Sequence, residues 1–221
     1  MSDNPEEIVK NAYENITTWY LNWTTTQKSP RETYTQALLT TLQSQTANTR
    51  PQILELGCGP GVPITQLLAK SAAVTANDIS PKQIALARAR CPTATLIPGN
   101  MTGLAFEDES FHGAVSFYTL FHLPRGQLGD MLRRVYGWLK PGGVFALNLA
   151  TVDEEEIHGE MLGYGMFWSS FDVAGNRALL ESVGFEVVKV EVLGAGDGSL
   201  EEGDPDYEAE FMWVLARKGF S

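Results

Sequence analysis

The sequence predicts an α/β fold: a doubly wound, mostly parallel sheet of seven strands with helices at the N-terminus. Three observations predict it. Short β-rich runs alternate with helical segments, a glycine-rich turn joins the first run to a helix, and two strand-like runs close the chain without a helix between them. Alternating strands and helices favour parallel pairing with both faces covered, and such sheets bind ligands beyond the carboxyl ends of their strands. The closing pair predicts a hairpin, and therefore an antiparallel strand near one edge.

Residues 1–50 read as a helical cap, with Tyr13, Trp19, Tyr20 and Trp23 concentrated in the first helix. Residues 51–150 read as the core. A buried-strand pattern covers 51–56, the glycine turn follows, and 63–70 read as helix. A strand over 72–76 comes next. Ser80 and Pro81 then start a helix over 82–90, because Ser caps well and Pro suits the first helical position. Pro92 stops it. Strands follow at 94–97 and 113–117. Leu128, Met131, Leu132, Val135 and Leu139 share one face of a helix over 127–139, which Pro141-Gly142-Gly143 ends. A fifth strand covers 144–149. Residues 151–170, rich in Met, Gly and aromatics, read as an irregular lid. Residues 171–221 complete the domain with a helix over 172–182, Gly184, and strands over 185–193 and 210–218.

Composition narrows the partners. The 221 residues suit a single domain and carry a formal charge of -11, with acidic runs at 153–156 and 197–210. Such a surface repels phosphate backbones, which argues against nucleic acid. No apolar run approaches the roughly 20 residues of a membrane span. Residues 1–10 are polar and acidic, unlike a secretory signal. These features read as a cytoplasmic protein without a membrane partner, a monomer or homodimer. Cys58 and Cys91 lack metal-type spacing and read as free thiols; no metal set is visible.

The chemistry concentrates in Glu55-Leu56-Gly57-Cys58-Gly59-Pro60-Gly61. Glycines are needed where backbone turns tightly or lies against a ligand. Three of them between a strand and a helix describe a cofactor loop. The GxGxG spacing differs from the GxGxxG of dinucleotide binders. Glu55, where the first strand ends, suits the ammonium of an amino-acid moiety and would repel a pyrophosphate; it could also simply cap the loop. Asp78, at the end of the second strand, fits an acceptor for both ribose hydroxyls, with Ile79 packing on the adenine. Its other reading is a turn aspartate before Ser80.

These blocks, with Gly99-Asn100-Met101, Phe111 to His122 and Leu139 to Gly143, resemble class I S-adenosylmethionine-dependent methyltransferases over residues 50–150. The resemblance is to the small-molecule branch with a single Rossmann-like domain. It implies S-adenosyl-L-methionine as cofactor and S-adenosyl-L-homocysteine as product. It implies that Glu55 and the backbone at Gly57, Cys58, Gly59 and Gly61 hold the methionine part, and that Asp78 binds the ribose. Asn100, where many relatives carry Asp, and Met101 would read the adenine edge. Phe117 and Tyr118 would flank the methionine and the reacting methyl, and Tyr20 in the N-terminal segment would approach the cofactor.

His122 is the one histidine just past the fourth strand. It is a candidate base for a hydroxyl acceptor, or else a packed residue. His112 falls at the wrong end of the sheet, and His158 could reach the pocket mouth. Trp19, Tyr164, Met166, Phe167 and Trp168 are candidates for contact with a small apolar or aromatic acceptor; packing against the N-terminal helices is their other reading. Two competing readings of the whole remain: a non-catalytic cofactor-binding protein, and an NAD-dependent oxidoreductase, against which stand the loop spacing, Glu55 and the missing Tyr-x-x-x-Lys pair.

Overall fold

A computed structural model of the chain describes residues 4–27, 29–45, 50–194, 207 and 209–220. Its strands are β1 (Gln52–Leu56), β2 (Ala73–Asp78), β3 (Thr95–Pro98), β4 (Phe111–Ser116), β5 (Leu139–Ala150), β6 (Glu154–Met161), β7 (Tyr164–Ser170), β8 (Phe185–Gly194) and β9 (Glu210–Lys218). Its helices are α1 (Pro5–Asn15), α2 (Thr17–Thr26), α3 (Pro30–Gln45), α4 (Ile64–Ala69), α5 (Pro81–Arg90), α6 (Arg125–Trp138) and α7 (Val173–Val183).

The main sheet runs β3-β2-β1-β4-β5-β9-β8. Strands β1 to β5 pair in parallel. Strand β9 runs antiparallel to both β5 and β8, so the antiparallel strand is second from the edge, and β8 lies outermost. Consecutive residues of a strand face opposite sides, and β1 shows it. Ile53 joins the core under α3, α4 and α5, whereas Leu54 joins the core under α6 and α7. Both are fully buried, as expected of a strand covered on both faces. No helix among the described residues is long and apolar enough to cross a membrane.

Three elements differ from the sequence expectation. The first helix is two: Ile16 stands between α1 and α2 at φ -91° and ψ 7°. The Thr17 hydroxyl there donates to the carbonyls of Tyr13 and Glu14. Tyr13 therefore belongs to α1, and Trp19, Tyr20 and Trp23 to α2. Residues 151–170 are not irregular, because β6 and β7 form a hairpin. Its turn, Leu162-Gly163, has positive φ at both positions, which suits the twist of paired strands. Finally, α6 ends at Trp138, and β5 starts at Leu139 rather than at 144. Pro141-Gly142-Gly143 lies within β5, where the register against β4 shifts. Most of the acidic run at 197–210 lies outside the described residues.

Helix α1 lies across the β6–β7 hairpin, with Val9 and Ala12 buried against Met166 and Phe167. Its Glu14 carboxylate accepts from the Ser80 hydroxyl at 2.9 Å and from the Lys82 amide at 3.1 Å. This fastens α1 to the first turn of α5.

Candidate functional site

Beyond β1 the chain turns through Gly57, Gly59 and Gly61 at φ 71°, 54° and 81°. A Cβ at Gly57 would stand 2.0 Å from Thr119 Oγ1, so no larger residue fits. The Gly59 amide donates to Asp78 Oδ2 at 2.8 Å, and the Ser80 amide to Oδ1 at 2.9 Å. Asp78 thus ties the glycine loop to the cap of α5. Burial pushes its pKa up to about 6, against those two amides. Each carboxylate oxygen keeps a further lone pair for a hydroxyl.

Two cavities meet above the loop. The first, about 160 Å³, has Gly57, Gly59, Asp78, Ile79, Asn100 and Met101 among its walls, with Val9 and Tyr13 of α1 over it. The second, about 480 Å³, is walled by Trp19, Trp23, Phe121, Met161, Trp168 and Phe211. Tyr13, Tyr20, Tyr118 and His122 line both. Asn100 Oδ1 accepts from the Thr102 amide at 3.0 Å, capping the turn Met101–Gly103, so one of its acceptor sites is already used.

A small third cavity lies between Glu55 and Arg31, with Cys58 and Phe117 in its wall. Glu55 is 4% exposed, and its Oε2 has no hydrogen-bond partner among the described residues. Burial, with Asp78 adding, pushes its pKa up to about 8; Thr65 and Arg31 pull the other way. Arg31 is equally buried, its guanidinium 5.4 Å from the Trp23 ring and 5.8 Å from the Tyr118 ring. Its Nε also lacks a hydrogen-bond partner. A buried cation and a buried acid with unused polar atoms match the two ends of an amino acid. Sequence reasoning missed Arg31, since nothing in Pro30-Arg31-Glu32 marks it apart from a surface residue.

His122 ends the turn Leu120–His122. Its Nδ1 lies 2.8 Å from the Phe167 carbonyl and its Nε2 3.0 Å from the Tyr13 hydroxyl. A carbonyl only accepts, so the network assigns the proton to Nδ1 and leaves Nε2 accepting from Tyr13. Burial lowers the His122 pKa to about 4, which keeps the ring neutral.

Other expected residues fall elsewhere. Gly61 lines none of the three cavities; its carbonyl accepts from Cys91 Sγ at 3.2 Å. Met166 and Phe167, expected at the acceptor, are instead buried beneath α1, and Tyr164 beside the hairpin turn points outward. Among the lid candidates, Trp19 and Trp168 do line the second cavity, joined by Ile157 and Met161. His158 is exposed beside Glu156, outside the cavity walls. His112 Nδ1 accepts from the Gln52 amide at the opposite end of the sheet.

Residues 53–143 match the family model of a methyltransferase domain. The glycine loop and both strand-end acids described above fall within this match, and the chain is similar there to methyltransferases. It is 33% identical over 96 residues to an uncharacterized methyltransferase of Synechocystis, covering 43% of this chain and 45% of that protein. It is 32% identical over 157 residues to a 24-methylenesterol C-methyltransferase of Oryza sativa, covering 62% and 42% respectively. The chain therefore spans less than half the length of these curated relatives. In fold it is similar to the 1,6-didemethyltoxoflavin-N1-methyltransferase of Burkholderia thailandensis, with a TM-score of 0.72 and 18% identity over 99% of this chain and 92% of that one.

Proposed function

We propose that the protein transfers a methyl group from S-adenosylmethionine to a small apolar or aromatic acceptor. The observation that carries this reading is the wall shared by the two cavities. Tyr13, Tyr20, Tyr118 and His122 face both, so molecules held in each meet there. Bound S-adenosylmethionine supplies a sulfonium methyl, the electrophile of the reaction. Glu55 and Arg31 hold the ends of its amino-acid part, Asp78 the ribose, and Ile79, Asn100 and Met101 the adenine. The rest of catalysis is alignment and exclusion of water, which in well-oriented systems lowers barriers by roughly 7–11 kcal/mol.

His122 serves an acceptor that must lose a proton. With Nδ1 committed to Phe167, Nε2 is the basic atom, and the Tyr13 hydroxyl bonded to it belongs to the same shared wall. A proton leaving the acceptor passes to the Tyr13 oxygen as the Tyr13 proton passes to Nε2. The charge of -11 supports keeping nucleic acid outside the acceptor range.

Calorimetric titration with S-adenosylmethionine and with NAD tests the cofactor. Mass spectrometry of a metabolite extract incubated with protein and deuterated cofactor tests transfer. Binding of NAD without the sulfonium, or binding of the sulfonium without labelled product, would replace this reading with the oxidoreductase or the non-catalytic binder respectively.

A further inference from the structure

We propose that the second cavity selects aromatic acceptors that carry a positively charged amine and rejects those that carry a carboxylate. The inference rests on the reading of this cavity as the acceptor site.

Three properties of the wall point this way. First, aromatic rings crowd it: Trp19, Tyr20, Trp23, Phe121, Trp168 and Phe211 are all in its wall. Trp23 pairs with Trp19 at 6.0 Å and with Tyr20 at 5.8 Å, and Phe121 stacks on Phe211 at 5.5 Å. Aromatic faces attract cations through their quadrupole and offer nothing to an anion. Second, the only carboxylates lining the cavity, among the described residues, are the exposed Glu160 and Glu210. No described Lys or Arg pairs with either one. Third, no Lys or Arg is among the described lining residues, and His122 is held neutral by its surroundings. Arg31 stands behind Trp23 and Tyr118 and opens on the Glu55 cavity instead.

A carboxylate brought into this space would shed water and find no cation of the wall to replace it. An ammonium would exchange water for ring faces and reach Glu160 and Glu210. The ammonium is the handle and not the methyl-accepting atom, because a protonated nitrogen has no lone pair for attack. The accepting atom lies at the other end, by Tyr13 and His122. The sulfonium charge acts alike on every acceptor and does not discriminate among them.

The test is equilibrium binding of tryptamine, indole-3-propionate and 3-ethylindole at pH 7, measured by calorimetry on protein with and without S-adenosylhomocysteine. Tryptamine is expected to bind at least about tenfold more tightly than indole-3-propionate, a cation–π and charge effect. The Glu160→Gln/Glu210→Gln variant should narrow that preference, leaving the part owed to the rings, while binding 3-ethylindole as before. Equal or tighter binding of indole-3-propionate overturns the proposal. So does a preference left wholly unchanged by the double variant, or absence of binding by all three at millimolar concentration. If S-adenosylhomocysteine does not bind and the amine preference stands, the proposed function fails, and what is left is a cavity that selects aromatic amines without accepting a methyl group.

Discussion

The Tyr118 amide donates to Asn148 Oδ1 at 2.7 Å, from a backbone held at φ 55°. An aromatic residue in the left-handed region is uncommon and must be held there by its surroundings. Here the side chain of β5 fixes the turn after β4, and the Tyr118 ring is set between Trp23 of α2 and Phe211 and Trp213 of β9. The shared wall of the two cavities is thus anchored from the centre of the sheet.

Asn148→Leu keeps the branching of the side chain and removes that acceptor, leaving a buried amide without a partner. Stability should fall by about 1–3 kcal/mol, read as a lower midpoint in urea unfolding. An unchanged midpoint would show that Tyr118 does not depend on this bond.

Asp78→Ala should weaken S-adenosylmethionine binding by about 1.5–3 kcal/mol, the worth of hydrogen bonds to a charged group. The dissociation constant from calorimetry reads it, with circular dichroism as a check on folding. A folded variant with unaltered affinity would refute the ribose assignment.

Glu55 carries a proton in the free protein at pH 7, because its pKa is raised to about 8. An ammonium beside it favours the ionised form, so cofactor binding should release close to one proton. Binding heats at pH 7 in buffers of different ionisation enthalpy should scale with that enthalpy, and Glu55→Gln should flatten the slope. The same shift sets the sign for stability without cofactor. The folded state binds the proton more tightly than the unfolded chain, so this contribution is full below about 4.5 and fades as pH rises through about 8.

His122 works in the opposite sense. Its pKa is depressed to about 4, so between about 6.5 and 4 the unfolded chain binds a proton that the folded one refuses. The stability difference between wild type and His122→Gln should shrink as pH falls through that window, in paired unfolding curves at pH 7 and 4.5. A difference that stays constant would mean that the ring titrates normally in the fold.

The glycine loop and Asp78 were legible because their signals are local. A strand, three glycines and a helix follow one another, and an acid ends the next strand. The hydrogen bond from Tyr13 to His122 was not, since 109 residues separate the two. It depends on α1 folding back over the site, which no local pattern states. Nor could composition divide the aromatics of 161–168 between cavity and core: Phe167 and Trp168 read alike in sequence, yet one is sealed under Val9 and Ala12 and the other lines the second cavity. Leu162 hid the hairpin, because leucine gives no turn signal at positive φ.

Tyr13 and Glu14 are neighbours on the last turn of α1, one bonded to His122 and the other to Ser80. Both contacts clamp the helix whose side chains stand over the first cavity. A nucleoside held in that cavity would leave more readily once this turn loosens, and Ile16, where the helix breaks, is the place for it to hinge. Loosening Glu14 should show up as faster exchange of bound nucleoside before it shows up in any change of chemistry.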